Sequence, residues 1–414
     1  MAQLQPVRGT HDLLPEQTRA HRRVTDCARD VALCYGFEEV STPIFEFSQV
    51  FKRTLGDTSD IVTKEMYTFT DKGGDEVTLR PENTAGIARS FISEGLAQLT
   101  PLKVFYNGPM FRYERPQKGR LRQFHQIGVE LIGVAQPQAD IEVIACGARV
   151  LAELGVIELA TLELNTLGDT ESRTAYRTAL VDYFSQYEAD LSADSKERLV
   201  RNPLRILDSK NEGDRKIIAD APVFTDFLNT LSQDHFAAVR EGLDALGIAY
   251  TLNPRLVRGL DYYCHTAFEF TTNALGAQGA LIAGGRYDGL IGMMGGNETP
   301  GVGWAGGIER LALLGGDAPA APRPIAVVPV GEEPQKIALE LSETLRREGF
   351  RIDLAYSGNL SRRMKRANRL NVLAAVIIGE DEMARNAATV RHMDTGEQEE
   401  VPLASLPEYL ARHR

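Results

Sequence analysis

The chain has 414 residues, of which 43% are hydrophobic and 25% charged, and its formal net charge is −11. That length suggests two or three domains of an ordinary globular protein. The acidic balance excludes indiscriminate nucleic-acid binding, because attraction to phosphate scales with local cation density. No apolar run is long enough to cross a bilayer, and the first residues lack the apolar centre of a secretory signal. We therefore expect no membrane partner and a cytoplasmic location.

The four cysteines give no sign of a disulfide framework or a metal site. Cys27, Cys34, Cys146 and Cys264 form no C-x-x-C pair and have no metal-ligand spacing. This usage suits a reducing compartment. Cys27 and Cys34 are seven residues apart on a predicted helix, so we expect both on its buried face.

The first 150 residues alternate helix and strand signals. Residues 15–35 have helical spacing, and "GFEEVSTPIFEF" predicts a turn and an extended run, with Pro43 interrupting any helix. The stretch "VTLRPENTAGIARSFIS" predicts a short strand, a break at proline and a helix. Two strand-like runs, "LKVFYNGPMFRYER" and "RQFHQIGVELIGV", bracket the loop "PQKGR". They predict a hairpin with a long basic tip.

The remaining chain contains a helical segment and a second domain. Residues 170–250 are almost entirely amphipathic helix and polar turn, which predicts a helical insertion. Strand character returns in "YYCHTAFEFTT", and a glycine-rich region follows it. The composition of "GGDAPAAPRP" is typical of a linker, and the β-α-β-α-β order after it predicts a small α/β domain with a mainly parallel sheet. The predicted boundaries are 1–317, a linker at 318–324, and 325–414.

The hexapeptide "GVGWAG" (301–306) matches the G-x-G-x-x-G pattern of dinucleotide sites. That pattern requires a preceding strand and a following βαβ unit. Here "GGNETP" precedes it, and no acidic residue follows at the expected distance. We interpret these glycines instead as close packing where a glycine-rich strand meets the helix "GGIERLALL".

The predicted hairpin carries an unusual polar face. Four arginines and one lysine fall within residues 112–122. Because alternate strand residues share a face, Glu130 lies with Gln126 and Phe124, while His125 faces away and is expected to be packed or hydrogen-bonded. An ordinary solvated loop is the alternative interpretation. Arginines beside an aromatic ring suit a charged, ring-bearing ligand, since guanidinium groups bind phosphate in bidentate fashion and the ring offers a stacking plane.

These segments resemble a known family. The sequence "FRYE", the basic loop and Phe124 resemble motif 2 of the class II aminoacyl-tRNA synthetases, "GFEEVSTPIFE" resembles motif 1 with Pro43 as its marked proline, and "GVGWAGGIERL" resembles motif 3 with Arg310 as its arginine. The segments "VRGTHDLLP", "RGLDYYCHTAFEF", "LRPENTAG" and "AGGRYDGL" are similar to segments of the histidyl-tRNA synthetase family. The resemblance covers essentially the whole chain. It implies an α/β fold class: an α+β catalytic domain on an antiparallel sheet, with the helical insertion, and a C-terminal α/β anticodon-binding domain.

The resemblance implies a two-step reaction. Histidine reacts with ATP to give histidyl-adenylate and pyrophosphate, and the histidyl group then passes to the 3′ end of tRNA(His). The implied catalytic residues are Arg112 at the α-phosphate, Arg258 where other class II enzymes place a metal, and Arg310 at the γ-phosphate and adenine. The implied ATP-binding residues are Arg112, Glu114, Arg120, Phe124 and Arg310. No metal ligand is implied on the chain itself, and Mg2+ is expected on the pyrophosphate.

The resemblance also implies a histidine pocket. A charged α-amino group requires acceptors, which Glu82, Thr84 and Gln126 would provide. An imidazole is best discriminated when each nitrogen meets a partner that would otherwise stay buried and unpaired, and Glu130 and Tyr263 match those partners. Without the resemblance, Glu130 would be interpreted as a structural salt-bridge residue. The implied histidine-binding residues are Glu82, Asn83, Thr84, Arg112, Gln126, Glu130, Arg258, Tyr262, Tyr263 and Tyr287.

Contact with tRNA is expected at two basic segments. Gln117 and Arg122 match the loop that meets the acceptor end, and they are candidates for recognising the extra 5′ guanosine of tRNA(His). The helix predicted in "SRRMKRANRL" contains no acidic residue. It lies in the domain resembling an anticodon-binding domain, although a solvated face is the alternative. Its basic residues are Arg362, Arg363, Lys365, Arg366 and Arg369. Motif 1 usually builds a dimer interface in this class, so a homodimer is expected.

Three other functions fit less well. A regulatory paralogue that binds histidine without aminoacylating is the main alternative, but such proteins usually lack the C-terminal domain and lose motif arginines, and this chain has both. The intact Arg112, Arg258 and Arg310 argue against a non-catalytic RNA-sensing module. The segment "RGLDYY" disfavours an enzyme that charges threonine, proline or glycine.

Overall fold

The structure is a computed structural model that describes residues 3–55, 61–115, 120–257, 262–275 and 279–412. The chain divides into two compact units, Met1–Pro319 and Ala320–Arg414. Each unit buries hydrophobic clusters of its own. Within the described ranges, no helix combines the length and the apolarity needed to span a membrane.

The first unit mixes helices and strands along its length. Up to residue 166 it contains α1 (Pro15–Cys34), β1 (Glu38–Glu39), β2 (Phe45–Phe47), α2 (Ser48–Leu55), β3 (Tyr67–Thr70), β4 (Glu76–Leu79), α3 (Thr84–Ser93), β5 (Leu102–Phe111), β6 (Gln123–Ile132), α4 (Pro137–Glu153) and β7 (Thr161–Thr166). It continues with α5 (Thr170–Ser185), α6 (Ala193–Arg201), α7 (Glu212–Ala219), α8 (Thr230–Ala245), β8 (Thr251–Leu252), β9 (Cys264–Thr272), β10 (Gly279–Arg286), α9 (Leu290–Met293), β11 (Gly301–Gly307) and α10 (Ile308–Leu314). Short helical turns lie at Ile61–Glu65, Leu96–Leu99, Ile157–Leu159, Pro203–Asp208 and Phe224–Phe227.

The described strands of this unit form two sheets. The larger has the order β1-β5-β6-β11-β10-β9-β7-β8, and β2, β4 and β3 form a smaller antiparallel sheet. In the larger sheet each strand from β5 through β6, β11, β10 and β9 to β7 pairs antiparallel with the next. At the two edges, β1 pairs in parallel with β5 and β8 pairs in parallel with β7. The predicted hairpin is confirmed, since β5 and β6 pair from Leu102↔Ile132 to Phe111↔Gln123. The antiparallel sheet of the predicted fold class is likewise confirmed.

The two faces of the large sheet are covered by different helices. Helices α1, α4, α8 and α10 pack on one face over a core that includes Ile127, Val129 and Trp304. The opposite face meets α3 and α9 and includes Tyr106 and, at its margin, Phe124. Burying each large apolar side chain stabilises the fold by roughly 1.5–3 kcal/mol. The alternation of apolar residues along β6 therefore fixes which side of the strand faces the first core. The predicted alternation is confirmed, and the polar side chains of β6 face the second side.

One expectation for α1 was wrong. Cys27 is partly buried against the first core, but Cys34 is exposed. The seven-residue spacing does place both on one side of the helix, and the buried residues of that side run from Val24 to Ala32. Cys34 is the last residue of α1 and lies beyond the part that packs.

Helices α5 to α8 form the predicted helical insertion, with a cluster of its own that includes Tyr176, Leu180 and Phe184. Besides this hydrophobic cluster, the insertion contains a buried carboxylate, that of Asp214 on α7. It accepts hydrogen bonds from the backbone N–H of Ser192 at 2.8 Å and from three hydroxyl groups. These belong to Ser192, Ser195 and Ser209, at 2.7, 2.6 and 2.5 Å. Burial alone would raise the pKa of Asp214, but the four hydrogen bonds outweigh it and lower the pKa to about 2.

We expect Asp214→Ala to destabilise the insertion by about 3 kcal/mol, because four hydrogen bonds to one buried acceptor are lost together. Limited proteolysis at pH 7, with cleavage sites mapped by mass spectrometry, should show cutting within 170–250 that is about 100-fold faster than in the parent. Because the folded pKa lies below the unfolded value of 3.8, the contribution is complete above pH 3.8 and lost as pH falls towards 2. Asp220→Ala, an exposed change just after α7, is the matched control. Parental resistance in the Asp214 variant would contradict this role.

The second unit is a small α/β domain. Its elements are β12 (Ile325–Pro329), α11 (Pro334–Arg347), β13 (Ile352–Leu354), α12 (Leu360–Arg369), β14 (Ala374–Ile378), α13 (Glu380–Ala384), β15 (Ala387–His392), β16 (Gln398–Pro402) and α14 (Leu406–Ala411), with a short turn at Leu403–Ser405. The order is β13-β12-β14-β15-β16, parallel over the first three strands and antiparallel over the last two. The predicted β-α-β-α-β order is confirmed, and the antiparallel extension was not predicted.

Candidate active site

A cleft of about 420 Å³ opens on the second face of the large sheet. It collects side chains from the hairpin, the start of α3, β9 and the start of α10, which lie far apart in sequence. The predicted ligand residues that line it are Glu82, Thr84, Arg112, Glu114, Arg120, Phe124, Gln126, Tyr262, Tyr263 and Arg310. The antiparallel strand order therefore brings the predicted ATP and histidine residues to one place.

Three guanidinium groups of the described residues reach this cleft, and protein groups orient each of them. Arg112 Nε donates to the carbonyl of Pro81 at 2.9 Å, and its guanidinium carbon lies 5.3 Å from the Phe124 ring centroid. Arg120 Nε lies 2.6 Å from a carboxylate oxygen of Glu114. Arg310 donates from Nη1 to the carbonyl of Ala280 at 2.8 Å. Burial, and then the charge of Arg120, lower the pKa of Arg310. An anion bound between the two guanidinium groups would stabilise the charge of Arg310 and reduce its repulsion with Arg120.

Glu130 is fully buried beside the cleft. The hydroxyl of Thr84, whose side chain lines the cleft, donates to Glu130 Oε1 at 2.7 Å, and the hydroxyl of Tyr287 donates to Oε2 at 2.6 Å. Tyr106 lies at 3.5 Å from Oε1. Burial raises the pKa of Glu130 to about 8, because these hydroxyl groups stabilise the carboxylate less than burial destabilises it. The alternative of a salt-bridge residue finds no support among the described residues, where the hydrogen-bond partners of Glu130 are hydroxyl groups.

The glycines of β11 make room for this carboxyl group. A Cβ at Gly303 would lie 1.8 Å from Glu130 Oε2, which no side chain tolerates. Gly303 pairs directly with Glu130 across the β6–β11 ladder. The glycines of "GVGWAG" therefore permit close packing within an antiparallel sheet, as expected, and not the turn of a dinucleotide site.

Two buried polar atoms of the cleft lack hydrogen-bond partners within the described part of the chain. They are Gln126 Oε1 and the hydroxyl of Tyr262. A buried polar group without a partner costs roughly 1–3 kcal/mol, so such groups are usually completed by a ligand or by water. Both belong to the residues predicted to bind histidine. The cleft therefore has polar positions that a small polar ligand would satisfy.

The start of α3 supplies a further carboxyl group. Glu82 is buried, and its oxygens accept from the backbone N–H groups of Thr84 at 2.7 Å and Ala85 at 2.9 Å. Burial raises the pKa of Glu82 in spite of these bonds. Asn83, also predicted to bind histidine, turns away from the cleft. Its Oδ1 accepts from the hydroxyl of Thr42 at 2.7 Å and from Arg80 at 3.1 Å, so its role is to hold the loop before α3.

Among the described residues of the cleft, the structure adds two acidic ones that the sequence analysis missed, Glu269 and Glu309. Glu269 stands on β9 between the buried rings of Phe268 and Phe270, and that alternation was a usable signal. Glu309 accepts from the backbone N–H of His125 at 2.9 and 3.1 Å, and the imidazole Nδ1 lies 2.9 Å from the same carboxylate. The expectation that His125 faces away from the ligand and is hydrogen-bonded is confirmed.

A buried ion pair supports the site from behind. Asp140 on α4 and Arg286 at the end of β10 are both 0% exposed. Arg286 Nε donates to the Asp140 carboxylate at 3.1 and 3.2 Å, and its Nη2 is also bonded to it. Burial would raise the pKa of Asp140, but nearby His235 and Arg286 keep it below its usual value. The residue after Arg286 is Tyr287, so the pair fixes the strand end that presents Tyr287 to Glu130.

The carboxylates of the cleft also fit a divalent cation. Glu114 and Glu269 line it together with the three arginines. Carboxylate and phosphate oxygens are the ligands that Mg2+ prefers, and the ion usually reaches proteins through one or two carboxylates plus substrate phosphates. The residues present therefore suit Mg2+ that arrives with a nucleotide.

Several predicted residues lie elsewhere. Arg258 and Gln117 lie outside the described residues. Arg122 precedes β6, where its Nε donates to the carbonyl of Glu114 at 3.2 Å and its guanidinium carbon lies 3.9 Å from the centroid of the Tyr113 ring.

The basic helix α12 of the second unit has an exposed face and one buried arginine. Arg363, which was expected to contact tRNA with its neighbours, is instead buried and donates to the carbonyl of Pro329, so it does not present its guanidinium to a partner. Its neighbours on the buried face are Met364 and Ala367. The exposed cations are Arg362, Lys365, Arg366 and Arg369. Arg366 pairs with Asp353 at 2.8 Å.

The antiparallel sheet, the arginine-lined cleft and the separate α/β unit together define the architecture of a class II aminoacyl-tRNA synthetase. A family model described as histidyl-tRNA synthetase matches residues 9–311, and one described as an anticodon binding domain matches residues 324–413. The chain belongs to the histidyl-tRNA synthetase family.

Individual relatives agree over the full length. The chain is 62% identical over 413 residues to a histidine–tRNA ligase of Rhodospirillum rubrum and 57% identical over 411 residues to that of Gluconacetobacter diazotrophicus. These alignments cover 100% and 99% of each chain, respectively. Among solved structures, the apo histidyl-tRNA synthetase of S. aureus matches with a TM-score of 0.82 at 37% identity, covering 98% of this chain and 99% of that one.

Proposed function

We propose that this chain activates histidine with ATP and transfers it to the 3′ end of tRNA(His). In the first step a carboxylate oxygen of histidine attacks the α-phosphorus, and the bond to pyrophosphate breaks. In the second step a hydroxyl group of the terminal ribose attacks the adenylate carbonyl, and AMP leaves. The observation that carries this proposal is a cleft combining three described guanidinium groups with two buried polar atoms, Gln126 Oε1 and the Tyr262 hydroxyl, that have no hydrogen-bond partner among the described residues.

The nucleotide binds at the arginines. Arg112 and Arg258 stabilise the charge that grows on the α-phosphate during adenylate formation, and Arg310 meets the γ-phosphate. The adenine ring stacks on Phe124 with Arg310 over its other face, while Glu114 and Arg120 close the cleft. Glu269 or Glu114 would hold Mg2+ that arrives with the phosphates, and the ion would supply further neutralisation of the pyrophosphate charge.

Histidine binds at the carboxyl groups and phenols. Glu82, Thr84 and Gln126 accept from the α-amino group, and Glu130 and Tyr263 take the two imidazole nitrogens. Support comes from the burial of Glu130 and from its hydrogen bonds to Thr84 and Tyr287, which hold its oxygens in fixed positions. A ligand without two polar ring atoms would leave some of these groups unpaired, and that penalty gives the selectivity.

The tRNA contacts two basic surfaces. Gln117 and Arg122 at the hairpin meet the acceptor end. On α12 the exposed cations Arg362, Lys365, Arg366 and Arg369 follow the i, i+3, i+4, i+7 spacing of one helix face, which suits a row of phosphates. The family match to an anticodon binding domain over this unit supports the assignment.

The chain functions in translation in the cytoplasm, as a homodimer. Support for the dimer comes from an exposed aromatic strip on the small sheet. Phe47 and Phe69 pair with Val77 from opposite sides of β4, and Phe45 lies two residues from Phe47. These three rings are 60%, 49% and 53% exposed, in the order Phe47, Phe69 and Phe45. Contiguous exposed apolar surface of this kind marks protein–protein interfaces.

The test is pyrophosphate exchange into ATP, measured with each of the twenty amino acids in turn. Histidine alone should support exchange well above background, and charging of tRNA(His) should follow. Exchange that depends on another amino acid would overturn the assignment. Tight histidine binding without any exchange would favour a regulatory role instead.

A further inference from the structure

Helix α10 begins directly where strand β11 ends. The ladder between β11 and β6 runs to the pair Gly307↔Gln126, and the helix starts at Ile308. The backbone ladder therefore stops one residue before His125 is reached. The N–H of His125 instead donates to both carboxylate oxygens of Glu309, at 2.9 and 3.1 Å. The side chain of Glu309 thus continues the hydrogen-bond ladder beyond the end of the strand.

The same carboxylate also holds the His125 ring. The imidazole Nδ1 lies 2.9 Å from Glu309 Oε1, so one carboxylate fixes both the backbone and the side chain of His125. His21 of α1 packs edge-on against that ring, with centroids 5.4 Å apart. Charged hydrogen bonds of this kind are roughly twice as strong as neutral ones. Position 125 on β6 and position 309 on α10 are therefore tightly coupled.

The residues next to this contact face the nucleotide cleft. Phe124 precedes His125, and Arg310 follows Glu309, and both line the cleft. Arg310 has its own hydrogen bond to Ala280, but the start of α10 that carries it is joined to β6 through Glu309. The contact thus sets the spacing between the Phe124 ring and the Arg310 guanidinium. A misplacement of about 1 Å at such a pair can lower activity by two orders of magnitude.

We propose that Glu309 is a positioning residue for ATP, which acts through His125 to hold Phe124 and Arg310 at the spacing of one adenine ring. This inference rests on the proposed function, because it concerns the nucleotide of the same reaction. It also explains an anionic side chain beside a phosphate site. Three donor contacts from His125 occupy the carboxylate, so its charge is balanced on the side away from the nucleotide.

The decisive variant is Glu309→Gln, which removes the negative charge and replaces Oε2, the oxygen 3.1 Å from the backbone N–H of His125, by an NH2 donor, so that one oxygen alone is left to accept from His125. We expect KM for ATP, and the ATP dissociation constant measured by calorimetry, to rise about tenfold, with KM for histidine within twofold of the parent. Glu158→Gln, which removes the same charge at an exposed position, is the control and should leave both KM values unchanged.

Variants of His125 separate this role from a general structural one. His125→Ala keeps the backbone N–H but loses the ring contact, and KM for ATP should rise about threefold. His125→Asn, whose amide can donate near the position of Nδ1, should restore the parental value.

Three results would overturn the proposal. The first is parental ATP binding in Glu309→Gln, and the second is an equal loss for ATP and histidine. The third is equimolar zinc retained by the parent and lost from the Glu309 variant, since His21, His125 and Glu309 would then form a metal site. Nucleotide binding by calorimetry requires no turnover, so these results stay distinguishable from a failure of histidine-dependent exchange.

Discussion

Asp140→Ala is expected to destabilise the first unit by about 3 kcal/mol, because it removes the buried carboxylate of the pair and leaves the guanidinium of Arg286 with the partly exposed Asp288, at 3.1 Å, as its remaining counter-charge among the described residues. The side chains of Asp140 and Arg286 are both 0% exposed, so water cannot replace the lost carboxylate without opening the core. The chain has one tryptophan, Trp304, which is buried in the central sheet. Its fluorescence during urea unfolding reports on this unit, and the midpoint should fall while the slope stays unchanged.

The double variant Asp140→Ala, Arg286→Met is the control for that measurement. Removing both charges should recover at least half of the lost stability, since replacing a buried ion pair by apolar groups is often neutral. Recovery will be incomplete because Arg286 also donates to the carbonyl groups of Val134 and Gln136. A single variant that loses less than about 1 kcal/mol would show that Asp288, 3.1 Å from Arg286, supplies enough counter-charge without Asp140.

The sequence could predict those parts of the site that depend on the regular alternation of side chains along a single strand or helix. On β6 the period of two placed Gln126 and Glu130 on the ligand face and His125 on the other, and the structure agrees. The same reasoning would have found Glu269 between two buried phenylalanines. It would also have excluded Arg363, because Ala367 one helical turn later marks the buried face of α12.

Contacts that depend on register were beyond sequence reasoning. The pairing of Glu309 with His125 exists because β11 ends at Gly307 opposite Gln126, and nothing local in either segment states that alignment. The ion pair between Asp140 and Arg286 joins residues that are 146 positions apart. The antiparallel extension of the second unit was missed for a different reason. Strand β16 is a mostly exposed edge strand without the alternation that identifies strands.

Glu130→Ala should raise KM for histidine at least 100-fold while KM for ATP stays within about threefold. The loss removes the acceptor for an imidazole nitrogen and leaves the hydroxyls of Thr84 and Tyr287 without their partner. Steady-state pyrophosphate exchange with either substrate varied gives both constants. Equal losses for the two substrates would show that Glu130 supports the whole cleft rather than the histidine pocket.

The pH dependence of histidine binding gives a sharper test of the same carboxyl group. Burial raises the pKa of Glu130 to about 8, so the empty site holds its proton at pH 7, and the complex shares one proton between Glu130 and the imidazole. Above pH 8 neither Glu130 of the empty site nor the imidazole of free histidine carries the proton that the complex shares. Binding must then take a proton from solution, so the affinity for histidine should fall about tenfold per pH unit. Below roughly pH 6.5 free histidine carries a second proton that must be released, so affinity falls there too.

The folded-state pKa of Glu130 also acts on stability. Because it lies above the unfolded value of 4.5, the contribution to folding is complete below pH 4.5 and is lost as pH rises towards 8. Glu130→Gln, which cannot titrate, should abolish both this loss and the alkaline decline in histidine affinity, while the decline below pH 6.5 remains. Calorimetric titration of histidine from pH 5.5 to 9 measures both limbs. An alkaline limb that persists in Glu130→Gln would place the shared proton on another group, because an amide at position 130 has no proton to lose in this range.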